Sequence, residues 1–231
     1  MSDTARVLFP VDANSAMATL RCVYQGRGQV ACLIVSKRDM PHRFDAEAAN
    51  RFANDGAAHV DGESEGTELQ IVAIGAYQLE EALKAAHRLR TRGRRVLVTA
   101  MSEPGRFRIP RDSIEAAFTA SDDELAALFP PGAPRLIVSH TRPEPMLGLL
   151  RRLDSGPRTT AARGYISRGG TLEVSGMLFA NRCSWAHLFD AAVPLTGSTR
   201  DDLLVPAERD AVDGRGHPGA IAVLTLGRPP C

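Results

Sequence analysis

Lys37 closes the run Ile34-Val35-Ser36-Lys37. An ammonium at a strand end can meet a phosphate as a compact point charge. The competing reading is an exposed lysine that merely opens a linker. Arg38 is the weaker candidate, because strand alternation turns it the other way. Cys183, Ser184 and His187 form a second group, since a serine beside a histidine can be a nucleophile with its base. No strand–turn–helix elbow frames them, so helix packing explains them better, and His187 near Trp185 and Phe189 reads as a packed or interface histidine. His42, His59, His87, His140 and His217 never pair at i, i+4 or as His-x-His, so no metal site is indicated. Arg88, Arg90, Arg92, Arg94 and Arg95 are clustered, but cations complement a helix C-terminus and no stacking aromatics accompany them. The stretch Gly214–Gly219 has neither a P-loop lysine nor dinucleotide spacing and reads as a turn.

These side chains need elements to position them. Residues 6–37 read as strand, helix and strand. Val7–Phe9 is apolar, Asp12 or Asn14 can cap the helix, and Ala16, Met17, Leu20 and Val23/Tyr24 share one side. Ala31–Val35 is continuously apolar, the pattern of a strand covered on both faces. Two parallel strands and a helix cannot cover themselves. The chain is therefore expected to open at the end of a domain whose body lies elsewhere, leaving an apolar edge and face that promote self-association. Residues 38–67 are polar, with one short helix at Ala46–Ala53, and read as a linker. A second α/β unit follows: strand Glu68–Ala76 ending in Gly75, helix Tyr77–Arg90, and strands Arg94–Met101, Pro134–His140 and Ala162–Ser167. Ser121 before Asp122, Asp123 and Glu124 marks a helix start, Pro143–Leu153 is a short helix entered through proline, and Ser175–Val193 is an apolar helical region. Beyond it, a helix at Pro206–Val212 and a strand at Ala220–Leu226 are expected.

Composition narrows the function classes. The chain has 231 residues, 44% apolar and 24% charged, with 28 basic against 27 acidic side chains. That balance gives no reason to expect a nucleic-acid or membrane partner, and no apolar run nears the roughly 20 residues that span a bilayer. The start Met1–Arg6 lacks a secretory segment. Cys22, Cys32, Cys183 and Cys231 are widely spaced, as expected of reduced thiols in a cytoplasmic protein.

The residues also carry a family resemblance. The turn Phe9-Pro-Val-Asp-Ala-Asn14 before a helix, and the strand ending in Lys37, resemble the end of the pyrimidine-binding domain of transketolases and phosphoketolases. The phosphoketolase form is nearer, because it too ends in lysine. Gly164, Tyr165, Gly169, Thr171, Met177, Asn181, His187 and Leu188 follow the order of a phosphoketolase C-terminal domain. Departures are Ser167 and Arg168 where acidic residues are usual, a threonine run reduced to Thr171, and Gly176 in place of an aspartate.

The resemblance implies an α/β fold: a three-layer sandwich with a mostly parallel sheet, like the transketolase C-terminal domain, preceded by a βαβ remnant of the pyrimidine-binding domain. Residues 1–37 would be that remnant, 38–67 a linker, 68–193 the C-terminal-like domain and 194–231 an extension. It implies part of a thiamine-diphosphate enzyme acting on ketose phosphates such as xylulose 5-phosphate, with Lys37 binding the substrate's terminal phosphate. Thiamine diphosphate and Mg²⁺ would belong to the full enzyme, a homodimer or larger, and not to this chain alone. The missing N-terminal catalytic domains, or a partner subunit carrying them, would supply the reactive centre. Alternatives are a xylulose 5-phosphate 3-epimerase or transketolase-type part, and a non-catalytic binding or scaffold domain.

Overall fold

The structure is a computed structural model that describes residues 5–166 and 172–221. The chain begins with β1 (Ala5–Leu8), α1 (Ala13–Gln25) and β2 (Val30–Leu33), followed by α2 (Ala46–Asp55) and β3 (Ala57–Asp61). Then come β4 (Leu69–Ile74), α3 (Ala76–Thr91), β5 (Val96–Met101), α4 (Ser113–Ala116), α5 (Asp122–Leu128) and β6 (Arg135–Ser139). The remainder is α6 (Pro143–Leu149), β7 (Thr160–Gly164), α7 (Val174–Ala180), α8 (Trp185–Thr196), α9 (Arg200–Leu203) and α10 (Pro206–Val212), with 3₁₀ turns at Pro104–Phe107, Arg151–Leu153 and Pro218–Ile221.

The larger sheet has the order β3-β5-β4-β6-β7, parallel throughout except for β3, which pairs antiparallel with β5. Every residue of β4, β5 and β6 is buried, as strands covered on both faces require. Alternation sends Ile71, Val98 and Val138 into one core with Leu79 and Leu89 of α3 and Leu188 and Phe189 of α8. Val72, Ile74 and Ile137 enter a second core with Phe107, Leu125 of α5, Phe129 and Leu150. The result is the expected three-layer α/β sandwich. Helix starts follow local chemistry: Ser121 and Glu124 cap α5 reciprocally, and Asp45 caps α2 through Ala48 N–H.

Four sequence expectations change. The segment read as a linker contributes not only a helix but also β3, the antiparallel edge strand of the main sheet. β2 is short and not covered on both faces: Val30 is 73% exposed, and Val35 beyond its end 53%. The apolar side of α1 faces outward, with Met17 58% and Tyr24 83% exposed and Leu20 beside them, while Ser15, Ala18 and Thr19 are buried. The small-residue side is the one that approaches α2, because α1 and α2 pack closely only where side chains are short. Finally, Ser175–Val193 is two helices, broken at Asn181–Ser184 where Arg182 takes φ 55°. Ala220 and Ile221 lie in a 3₁₀ turn, and the rest of the strand expected at Ala220–Leu226 lies outside the described residues. Ser167, Arg168, Gly169, Gly170, Thr171 and Cys231 lie outside them too.

β1 and β2 form a separate two-stranded parallel sheet. It is fastened to the larger unit. Phe9 N–H donates to Ser102 O at 2.7 Å, Arg6 makes two hydrogen bonds to the Glu103 carboxylate at 2.7 and 2.6 Å, and Phe9 itself is buried in the second core. Among the described residues no helix is long and apolar enough to cross a membrane.

Candidate functional site

The Phe9–Asn14 motif makes a turn pinned by one carboxylate. Asp12 Oδ1 accepts from Ser15 N–H at 2.8 Å and caps α1, while Oδ2 accepts from Arg43 N–H at 2.7 Å and Phe44 N–H at 3.0 Å. Ser15 Oγ in turn accepts from Asp12 N–H and Val11 N–H. Burial pushes the Asp12 pKa upward, but hydrogen bonds from Ser15, Arg43 and Phe44 outweigh it, and the net displacement is downward. Arg43 also clamps Glu80 of α3 through both carboxylate oxygens. The motif that carries the family resemblance is therefore a joint: it fixes α1, the segment after β2, and the flank of α3.

A cleft of about 250 Å³ opens at this joint, bordered by Asp12, Ser36, Arg38, Asp39 and His42 and by Ala76 at the start of α3. Ser36 Oγ lies 2.8 Å from the Tyr77 hydroxyl and accepts from Arg38 N–H at 3.0 Å, so it is held by its neighbours and not paired with a base. Asp12 is saturated by backbone donors. The guanidinium of Arg38, which pairs with Glu173, and the imidazole of His42 supply hydrogen-bonding groups at the mouth, beside the carboxylates of Asp12 and Asp39. Lys37 stands in the bend just beyond, exposed and without an ion-pair partner among the described residues, and it is Arg38 that borders the cleft.

The other sequence candidates resolve separately. Ser184 and His187 do meet, Oγ to Nδ1 at 2.7 Å, but Ser184 is the residue preceding α8 and His187 is packed edge-on against Phe179 at 4.9 Å. Burial drives the His187 pKa down to about 4, with Arg182 adding to the shift, so it is a poor base near neutrality. Burial also pushes the Cys183 thiol up to about 12, which leaves it unreactive. Because the folded pKa of His187 is depressed, its neutral form favours the fold. That contribution is complete above the ordinary value of 6.5 and is lost as pH falls toward 4. Thermal melts between pH 7 and pH 4 should show this acid slope in the wild type, and a His187→Gln variant should flatten it.

Three members of the arginine cluster are held by acidic partners. Arg88 forks onto Glu208 at 2.8 and 3.0 Å and lies over the Trp185 ring, Arg90 pairs with Asp61 at 2.6 Å, and Arg95 pairs with Glu68. Among the described residues no three His, Cys, Asp or Glu side chains are grouped to hold a metal ion. Among the described residues the cleft's arginine, Arg38, is already paired with Glu173, and Asp12 is taken up by main-chain donors, so this cleft does not fit a magnesium diphosphate.

Comparison with known proteins places these features. No protein-family model matches the chain. It is 28% identical over 150 residues to a protein described as "Probable phosphoketolase" from Lactococcus lactis subsp. lactis (strain IL1403), covering 60% of this chain and 18% of that relative. A transketolase mutant from Pichia stipitis superposes with a TM-score of 0.61 at 14% identity, over 84% of this chain and 25% of its own. Transketolase from Leishmania mexicana gives 0.61 at 16% identity, over 87% and 27%. A split-gene transketolase, described as an inactive beta4 tetramer, gives 0.58 at 17% identity, over 84% and 58%. At these identities the structural likeness establishes fold alone, and neither comparison lends support to the epimerase alternative. The chain thus has an α/β fold like that of a transketolase C-terminal domain and is similar in sequence to a phosphoketolase, spanning 18% of that relative and about a quarter of the whole transketolases.

Proposed function

We propose that this chain serves as the C-terminal part of a thiamine-diphosphate-dependent enzyme acting on ketose phosphates, with the cofactor held by segments outside it. The observation that carries the reading is the outward apolar surface of the N-terminal unit. Met17, Leu20 and Tyr24 of α1 are exposed, as is Val30 of β2, in a unit whose sheet has only two strands. Clustered apolar exposure beside an open strand edge marks a surface that is covered in the working assembly. The partial span of the relatives agrees, and so does the existence of a transketolase made from a split gene. Sequence similarity to a phosphoketolase favours cleavage of the ketose phosphate over ketol transfer. Lys37, exposed beside the Arg38 cleft, is the proposed contact for the terminal phosphate of the substrate.

Size-exclusion chromatography with light scattering tests the surface. The wild-type chain should run above its 24.8 kDa monomer mass in a concentration-dependent way, and a triple variant Met17→Glu, Leu20→Glu, Tyr24→Glu should shift toward monomer. A concentration-independent wild-type monomer would count against the surface. Turnover of xylulose 5-phosphate by the chain alone, given thiamine diphosphate and Mg²⁺, would overturn the assignment of the reactive centre to other segments.

A further inference from the structure

The main sheet changes winding direction beside β4. From β4 the chain crosses through α3 on one face to β5, whereas β6 reaches β7 through α6, which packs on the other face. The crevice beyond the C-terminal ends of β4 and β6 is therefore a topological switch point, where sheets of this type bind ligands. Three observations make this one specific.

Gly75 sits at the end of β4 with φ 116° and starts α3, a helix of 16 residues that no side chain caps. A Cβ at this position would lie 2.5 Å from Gln78 Oε1 and 3.1 Å from His140 Cβ, so the backbone there must stay bare. Gln78, folded back over this corner, is completely buried, and neither its Oε1 nor its Nε2 has a hydrogen-bond partner among the described residues. A buried carboxamide with both ends unmatched requires an explanation. The Tyr165 hydroxyl is close enough for Gln78 to influence it, yet the pair does not reach hydrogen-bond geometry. His140, just past β6, rests against the Tyr165 ring at 5.0 Å, and burial lowers its pKa, keeping the imidazole neutral. The nearby Glu81 is already taken by Trp185 N–H and Lys84. Ala76, next to Gly75, lines the cleft, so the corner adjoins it.

We propose that this corner binds a small tetrahedral oxyanion, a phosphate or phosphate ester. The first-turn N–H groups of α3 would hold it, and Gln78, His140 and Tyr165 would donate from the flanks. The donor set is uncharged, and the helix N-terminus supplies the positive end.

The test uses the full chain alone, with inorganic phosphate as the probe and chloride to match ionic strength. It does not depend on reconstituting any enzyme activity. Phosphate should raise the melting temperature saturably. Gln78→Leu removes the carboxamide without breaking an existing hydrogen bond, and His140→Phe keeps the ring stack while removing its donor. Each should weaken the phosphate midpoint by about tenfold, the equivalent of one hydrogen bond to a charged group. Weakening in either variant supports the site, even should the other fail to fold. An unsaturable wild-type response, or a midpoint unchanged in both variants, would overturn it. If Gln78 is only a packing defect, Gln78→Leu will raise stability and leave the phosphate response intact.

Discussion

Asp12→Ala should lower folding stability by about 3 kcal/mol. Losing a helix cap costs about 1 kcal/mol, and stranding two further backbone donors about 1 kcal/mol each. The donors are Arg43 N–H and Phe44 N–H, and Phe44 is buried and stacked on Phe52 at 4.7 Å, so water cannot readily replace the carboxylate. For a domain of this size the melting temperature should fall by roughly 6–12 °C. Asp12→Asn separates charge from shape, because its single carbonyl oxygen can serve one side of the joint but its amide meets donors on the other. It should therefore recover less than half of the loss. The effect should also depend on pH. With the folded pKa of Asp12 depressed, its stabilisation is complete above the ordinary carboxylate value and disappears as pH falls through the folded one. The gap between wild type and Asp12→Ala should accordingly narrow in strong acid. A melting temperature for Asp12→Ala within 2 °C of wild type at pH 7 would mean the turn is not the joint described.

The importance of this residue was only partly legible in the chain. A capping role for Asp12 follows from its place before an apolar-periodic segment. Its bonds to Arg43 and Phe44 span about thirty residues and depend on how the segment after β2 folds back, which local pattern does not encode. The central strands were readable because burial on both faces leaves continuous apolar runs, as in Leu69–Ile74 and Val96–Met101. β3 was not, since Ala57-Ala58-His59-Val60-Asp61 is an edge strand, half buried, with His59 bonded to Leu128 O. Lys37 stands out through the family resemblance, and only the lower rank of Arg38 depends on extending strand alternation through residue 37. β2 ends at Leu33, so alternation says nothing of side chains four residues later, and Arg38 reaches the cleft while Lys37 stands outside it. Likewise the apolar stripe of α1 was visible as a stripe, but periodicity gives a face and not the identity of what covers it.

Arg135→Ala should be the more damaging substitution, at about 4 kcal/mol, roughly 1 kcal/mol for each of the four buried acceptors it leaves unmatched. Arg135 opens β6 and is 3% exposed. Its guanidinium donates to Gln70 Oε1 at 3.1 Å, to Phe129 O at 3.0 Å, to Pro130 O at 2.8 Å and to Leu153 O. Gln70 continues the network through its amide to Thr99 Oγ1 and Leu128 O, both at 2.8 Å. One side chain thus ties three adjacent strands to the turn that enters β6 and to the 3₁₀ turn between α6 and β7. Burial lowers its pKa, with Asp154 drawing it back up, but a guanidinium remains charged at neutral pH. Arg135→Met preserves much of the volume and still leaves four acceptors bare, so it should recover little. Arg135→Lys keeps the charge but replaces a planar fork with three donors on one atom, and it should fall between. Adding Gln70→Leu to Arg135→Met removes one orphaned acceptor but also the amide bonds to Thr99 Oγ1 and Leu128 O, so the double variant should lose less than the sum of the two single losses without recovering the wild-type stability, a coupling measurable in a double-mutant cycle. Chemical denaturation that finds Arg135→Met within 1 kcal/mol of wild type would show that water takes over these carbonyls, and that this end of the sheet is open to solvent.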